Sequence, residues 1–117
     1  MPQTGPSLTV RVIGSGSRAQ VNVTPTAVTI DPNTDDNITW NRENNATWTF
    51  AGIAQDDANH SPLPNPPFKA QNVQDTSIVV EDDNSAVTDT TYNYAVQVKL
   101  SDGTLVWSDP QIINRGG

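Results

Sequence analysis

The chain has 117 residues and a formal net charge of −7, from six basic and thirteen acidic side chains, which suits one domain, residues 1–117, with a small core. So acidic a chain offers no basic patch to neutralise phosphates, which argues against nucleic acid and an anionic membrane surface as partners. There are no cysteines, so disulfides, thiolate nucleophiles and cysteine-held metal centres are excluded, and a hydrophobic content of 34% fits a thin β-sandwich better than a helical bundle.

Met1-Pro2-Gln3-Thr4-Gly5 holds no basic segment followed by an apolar one, so no secretory signal is visible and a cytoplasmic location is expected. Leu8 to Ile13 alternates apolar and polar residues, reads as a strand, and meets a flexible turn at Gly14-Ser15-Gly16-Ser17. Ala19 to Thr24 and Ala27 to Ile30 alternate similarly, broken by Pro25 at an edge or bulge. Asp31 to Thr34 is a turn. Ile38 to Arg42 and Thr47 to Ala51 follow as strands, with Glu43-Asn44-Asn45 between them as a hairpin turn. Residues 54–68 carry four prolines and no periodicity, which predicts a long ordered loop crossing between sheets. Ser77 to Glu81 is a strand ending in the turn Asp82 to Ser85. Thr91 to Leu100 is the clearest strand, its period-2 set Tyr92, Tyr94, Val96, Val98 and Leu100 lining one face. Ser101-Asp102-Gly103 turns the chain into Thr104 to Trp107, and Gln111 to Ile113 resumes as a short strand after Pro110. The expectation is an all-β, immunoglobulin-like β-sandwich of seven to nine antiparallel strands.

Two Asp-Pro bonds are present, Asp31-Pro32 and Asp109-Pro110. The ordinary reading of either is a turn. The chemical reading rests on a carboxyl placed to attack its own carbonyl, with a proline nitrogen as leaving group. Nothing in the dipeptides separates the two, so any difference must come from the fold. Attack needs a carboxylate and departure needs an acid, so a second carboxyl or another donor is required. Asp35, Asp36, Asp56, Asp57, Asp75 and Asp89 are open candidates, as is a Tyr hydroxyl. Lys99 is the least arbitrary donor, because its strand should pair with Leu105 to Trp107; its ordinary role is a solvated edge lysine that discourages aggregation.

Other constellations carry less. The pairs Asp35-Asp36 and Asp56-Asp57 and the run Glu81-Asp82-Asp83 lack calcium-loop spacing and read as solvated turns, so no metal or cofactor is expected. His60 is the single histidine and cannot by itself build a transition-metal centre. A Ser-His-Asp hydrolase built on it is disfavoured. Trp40, Trp48 and Trp107 sit inside strand patterns and are expected in the core rather than on a carbohydrate platform. The sequons at Asn22, Asn37 and Asn45 read as accidents of an Asn- and Thr-rich chain.

The closing segment Ser108-Asp109-Pro110-Gln111-Ile112-Ile113-Asn114 resembles the C-terminal motif of the bacterial DP-EP family of small proteins. The likeness extends to overall length, an N-terminal strand pair and a Tyr-rich strand before the final hairpin. The resemblance implies an immunoglobulin-like sandwich and aspartic-type self-cleavage, with Asp109 and Pro110 reacting and Ser108 and Gln111 flanking. The substrate is then the chain's own C-terminal segment, cut in cis, with release of residues 110–117. The competing expectation is a non-enzymatic binding or structural module in which Asp109-Pro110 is only a turn.

Overall fold

Alternation of apolar and polar residues gives each strand one dry face, and two such sheets bury those faces against each other. The computed structural model describes residues 2–108 and 111–117. Its strands are β1 (Gln3–Ile13), β2 (Gln20–Thr24), β3 (Ala27–Ile30), β4 (Asp35–Arg42), β5 (Thr49–Gln55), β6 (Phe68–Val73), β7 (Ser77–Asp83), β8 (Thr90–Lys99), β9 (Leu105–Trp107) and β10 (Gln111–Asn114). One sheet has the order β2-β1-β4-β7-β6. The other runs β3-β10-β8-β5, with β9 also paired to β8. The all-β sandwich is therefore present. It has ten strands rather than seven to nine, and both sheets are mixed: β1 lies parallel to β4, and β10 parallel to β3.

The parallel pairings arise at the N-terminus. The β1–β2 hairpin adds to the free edge of β4. The chain then changes sheets around Pro25, which has no N–H to give a ladder, and lays β3 beside β10. β1 begins at Gln3, five residues before the alternation does. Its early part carries an irregularity between Thr4 and Ser7, where a Cβ on Gly5 would meet the Asn37 carbonyl at 2.7 Å.

The core is built from Leu8, Val10, Ile38, Trp40, Ile78 and Val80 on one side and Ile30, Phe50, Ile53, Tyr94, Val96, Val98 and Ile112 on the other. Trp40 spans the two sheets. Its indole N–H donates to the Tyr94 hydroxyl at 2.8 Å, and the rings meet edge to face at 5.3 Å. Both side chains are wholly buried, so each polar tip needs the other.

Four local expectations are corrected. The Glu43-Asn44-Asn45 segment is not a hairpin turn, because β4 and β5 belong to different sheets; the Arg42 guanidinium braces the crossing by donating to the Trp48 carbonyl at 2.7 Å. β5 runs on to Gln55, past a register shift between Phe50 and Gly52 that interrupts its alternation. Phe68–Val73 is an edge strand rather than the end of a loop; only Phe68 is buried, so no alternation marked it. Asp82 and Asp83 are strand residues rather than a turn, lying opposite Asp36 and Asp35 on β4. Among the described residues no helix is long and apolar enough to cross a membrane.

Candidate functional site

β8 carries the C-terminal segment along one edge. Trp107 faces Gln97, and beyond it Gln111 faces Asn93, so the described pairs on the two sides of the interval keep the same offset. Asp109 and Pro110 fall in the interval and lie outside the described residues. Ser108, which precedes them, is buried and held twice. Its N–H donates to the Val96 carbonyl at 3.0 Å. The Val96 N–H donates back to Ser108 Oγ at 3.0 Å, so a side-chain oxygen stands where a regular ladder uses the backbone carbonyl. The ladder therefore departs from its regular pattern one residue before Asp109. On the far side, β10 has a neighbour on both edges, and Ile112 is 0% exposed.

Lys99 pairs with Leu105, as the sequence suggests, and is exposed. Leu105 is the end of β9 remote from Ser108, three residues and about 10 Å away along the strand. Of the candidate carboxyls, Asp35 and Asp36 belong to β4 in the other sheet. The Asp75 carbonyl accepts from Phe50 N–H, and the Asp89 carboxylate accepts from Gly116 N–H at 2.9 Å. Asp56 continues β5 by donating its N–H to the Asn93 carbonyl. Asp57 organises the loop that follows: its Oδ1 accepts from the backbone N–H groups of Asn59 and Ser61 at 3.1 and 3.0 Å. The Ser61 and Asn59 hydrogen bonds, with His60 nearby, hold Asp57 below the usual carboxylate range, which keeps it a base rather than a proton donor.

That loop places a residue that the sequence reading set aside. The His60 ring stacks on Trp107, with centroids 3.8 Å apart and planes 4° from parallel. His60 adopts φ 46° and donates its N–H to the Asp57 carbonyl, so backbone strain and a turn bond aim the ring. The single imidazole thus rests on a side chain two positions before Asp109. Nothing local marks this contact, because 47 residues separate the two rings. Trp40 and Trp48 are core residues as expected, whereas Trp107 is half-buried and uses one face for His60. Tyr94 offers no free hydroxyl to this edge. Tyr94 OH is engaged by Trp40 inside the core, where burial holds its pKa well above the usual range. Tyr92 is also raised, first by burial and then by the Asp82 charge, and packs edge-on against Phe68.

The second Asp-Pro bond is held differently. The Asp31 carbonyl accepts from Thr34 Oγ1 at 2.8 Å and from Asn84 Nδ2 at 3.0 Å. Two donors on that carbonyl would also stabilise an oxyanion there, so Asp31-Pro32 is not an inert comparison.

The remaining cavities are shallow. A cleft of about 330 Å³ lies between the β1–β2 turn, the β4–β5 crossing and the β8–β9 turn, lined by Val12, Glu43, Trp48 and Leu100 among others. Glu43 is occupied there, accepting from Val12 N–H at 2.7 Å and the Trp48 indole at 3.2 Å. Among the described residues no group of three His, Cys, Asp or Glu side chains is arranged to hold a metal ion. No protein-family model matches the sequence, and no curated protein matches it significantly.

Proposed function

We propose that this chain is a self-processing β-sandwich domain of the aspartic type, cut once in cis between Asp109 and Pro110, as its C-terminal motif resembles that of the DP-EP family. The observation that supports this reading most is the ladder break at Ser108. A regular extended strand holds an Asp carboxyl away from its own carbonyl carbon; a chain whose serine side chain has replaced its carbonyl in the ladder has left that geometry one residue earlier. Ser108 and β10 are both hydrogen-bonded to β8, and an intramolecular reaction in the right geometry gains effective molarities of about 10⁵–10⁸ M.

The chemistry conserves every atom. The Asp109 carboxylate attacks the carbonyl carbon of its own residue and forms a cyclic anhydride. The bond to the Pro110 nitrogen breaks as that nitrogen takes a proton. Water then opens the anhydride, leaving a carboxyl group at Asp109 and a secondary amine at Pro110. Lys99 remains the proposed donor from strand pairing, acting across about 10 Å of strand only through intervening water.

One part of the sequence expectation changes. Residues 110–117 would not leave on cutting, because β10 stays paired to β3 and β8 with Ile112 in the core. The test is intact mass, recorded in parallel under native and denaturing conditions over days at neutral and mildly acidic pH. The expected result is loss of segment 110–117 in the denatured spectrum, a native species of the full mass plus one water, and no cut in Asp109→Asn. Unchanged mass throughout, or a cut that proceeds equally fast in the urea-unfolded chain at neutral pH, sinks the peptidase reading. The central seat of β10 favours one other reading, a non-enzymatic binding or structural module that keeps its C-terminal strand, and an uncut wild type would leave that reading standing.

A further inference from the structure

Asn114, the last residue of β10, reaches out of its own sheet. Its Nδ2 donates to Oδ1 of Asp82 on β7 at 2.9 Å, and so joins the two layers. Both side chains are buried, Asp82 at 0% and Asn114 at 1% exposure. One hydrogen bond leaves two atoms unsatisfied: Asp82 Oδ2 and Asn114 Oδ1 have no partner. Both are acceptors, and a buried acceptor without a donor is unfavourable. Turning the Asn114 amide over does not help, since an ionised carboxylate has no hydrogen to give.

The surroundings oppose a negative charge at this point. On β4, Asp36 lies directly opposite Asp82, with Asp35 beside it; Gln3 of β1 donates to Asp36. On β7 itself, Glu81 and Asp83 flank the position. β6 contributes Phe68 opposite Asp82, and the adjacent Lys69 ammonium is taken by Asp83 at 2.6 Å. β8 contributes Tyr92, which is close enough to feel the Asp82 charge. Among these described neighbours, Asp36 shares the inner face with Asp82, Asp35, Glu81 and Asp83 lie on the outer face close by, and the nearby cation is already engaged.

We propose that Asp82 carries a proton on Oδ2 in the folded protein at mildly acidic pH and donates it to Asn114 Oδ1, closing a two-bond acid–amide ring that clamps β10 to β7. A single proton then satisfies both orphaned atoms and removes the repulsion from Asp36. Above the titration of this group the ring loses one bond, and β10 is held by its backbone ladders and the remaining contacts alone. The clamp sets how firmly the C-terminal strand is retained as a function of pH, whether or not the chain cuts itself. Burial first, then the charges of Asp36, Asp83 and Asp35, push the Asp82 carboxyl up to about 6, against the pull of the Asn114 hydrogen bond.

Carbon-13 NMR of the Asp side-chain carboxyls in the intact chain tests this directly. Asp82 should titrate with a midpoint near 6, about two pH units above an ordinary Asp; a midpoint at or below 4 overturns the proposal. Asp82→Asn supplies the same donor permanently, since its amide can donate to Asn114 Oδ1 and accept from Asn114 Nδ2. It should therefore melt at or above the wild-type temperature at pH 7 and lose the wild-type change between pH 4 and 7. A variant that folds but melts well below wild type at pH 7 shows that the charged form is needed and refutes the clamp. If the variant fails to fold, the wild-type titration still decides.

Discussion

Replacing Ile112 with alanine removes side-chain carbon from the centre of β10, between Val28 on β3 and Tyr92 on β8. The side chain is 0% exposed, so the loss includes transfer of buried methyl and methylene groups and the cavity they leave. At about 0.8 kcal/mol for each carbon the first term is about 2.4 kcal/mol. Adding the cavity brings the expected cost to about 3–4 kcal/mol. In a domain of this size that is about a third of the total stability and lowers Tm by roughly 15 °C. Ile113 points to the opposite face and is only half-buried, so Ile113→Ala should cost about 1 kcal/mol. Urea denaturation followed by fluorescence measures both, with the midpoint moving and the slope unchanged. Equal costs for the two substitutions, or a cost below about 1 kcal/mol at Ile112, would refute the placement of β10 as a core strand. Retention of the C-terminal segment after a cut would then not be expected.

Tyr94→Phe leaves the Trp40 indole N–H buried without an acceptor and should cost about 1–3 kcal/mol by the same assay; a neutral change would mean that this bond is not made. Stability should also depend on pH through Asp82. Its folded pKa of about 6 lies above the ordinary 3.8, so its contribution is complete below 3.8 and is lost as pH rises through 6. The gap is worth about 3 kcal/mol at 1.36 kcal/mol per pH unit. Asp57 and Asp102, held low by backbone and side-chain hydrogen bonds in exposed turns, act in the opposite sense and lose their contribution on acidification below the ordinary range. The difference between wild type and Asp82→Asn, measured from pH 3 to 8, isolates the first effect. His60→Ala should remove the stack on Trp107 and change tryptophan fluorescence while costing no more than about 1 kcal/mol of stability; an unaltered spectrum would argue against the stack.

The alternation of Tyr92, Tyr94, Val96, Val98 and Leu100 correctly marked the face of β8 that meets the core, because burial on one side of a strand is written in every second residue. The same rule failed at β6, an edge strand wet on both faces beyond Phe68, and at β5, where a register shift breaks the period. Asp82 shows the limit most clearly. As part of Glu81-Asp82-Asp83 it reads as a solvated turn, yet alternation within β7 turns Glu81 and Asp83 outward and sends Asp82 into the core.

From the sequence alone came the class of fold, the absence of thiol chemistry and the two Asp-Pro bonds. Those follow from composition and from interactions between near neighbours in the chain. Sheet membership came from tertiary structure, as did the parallel seats of β1 and β10, the serine that interrupts the ladder before Asp109, the imidazole on Trp107 and the acid–amide contact between the layers. Each depends on residues more than ten positions apart, and no local propensity records which distant segments will meet when two hydrophobic faces close on each other.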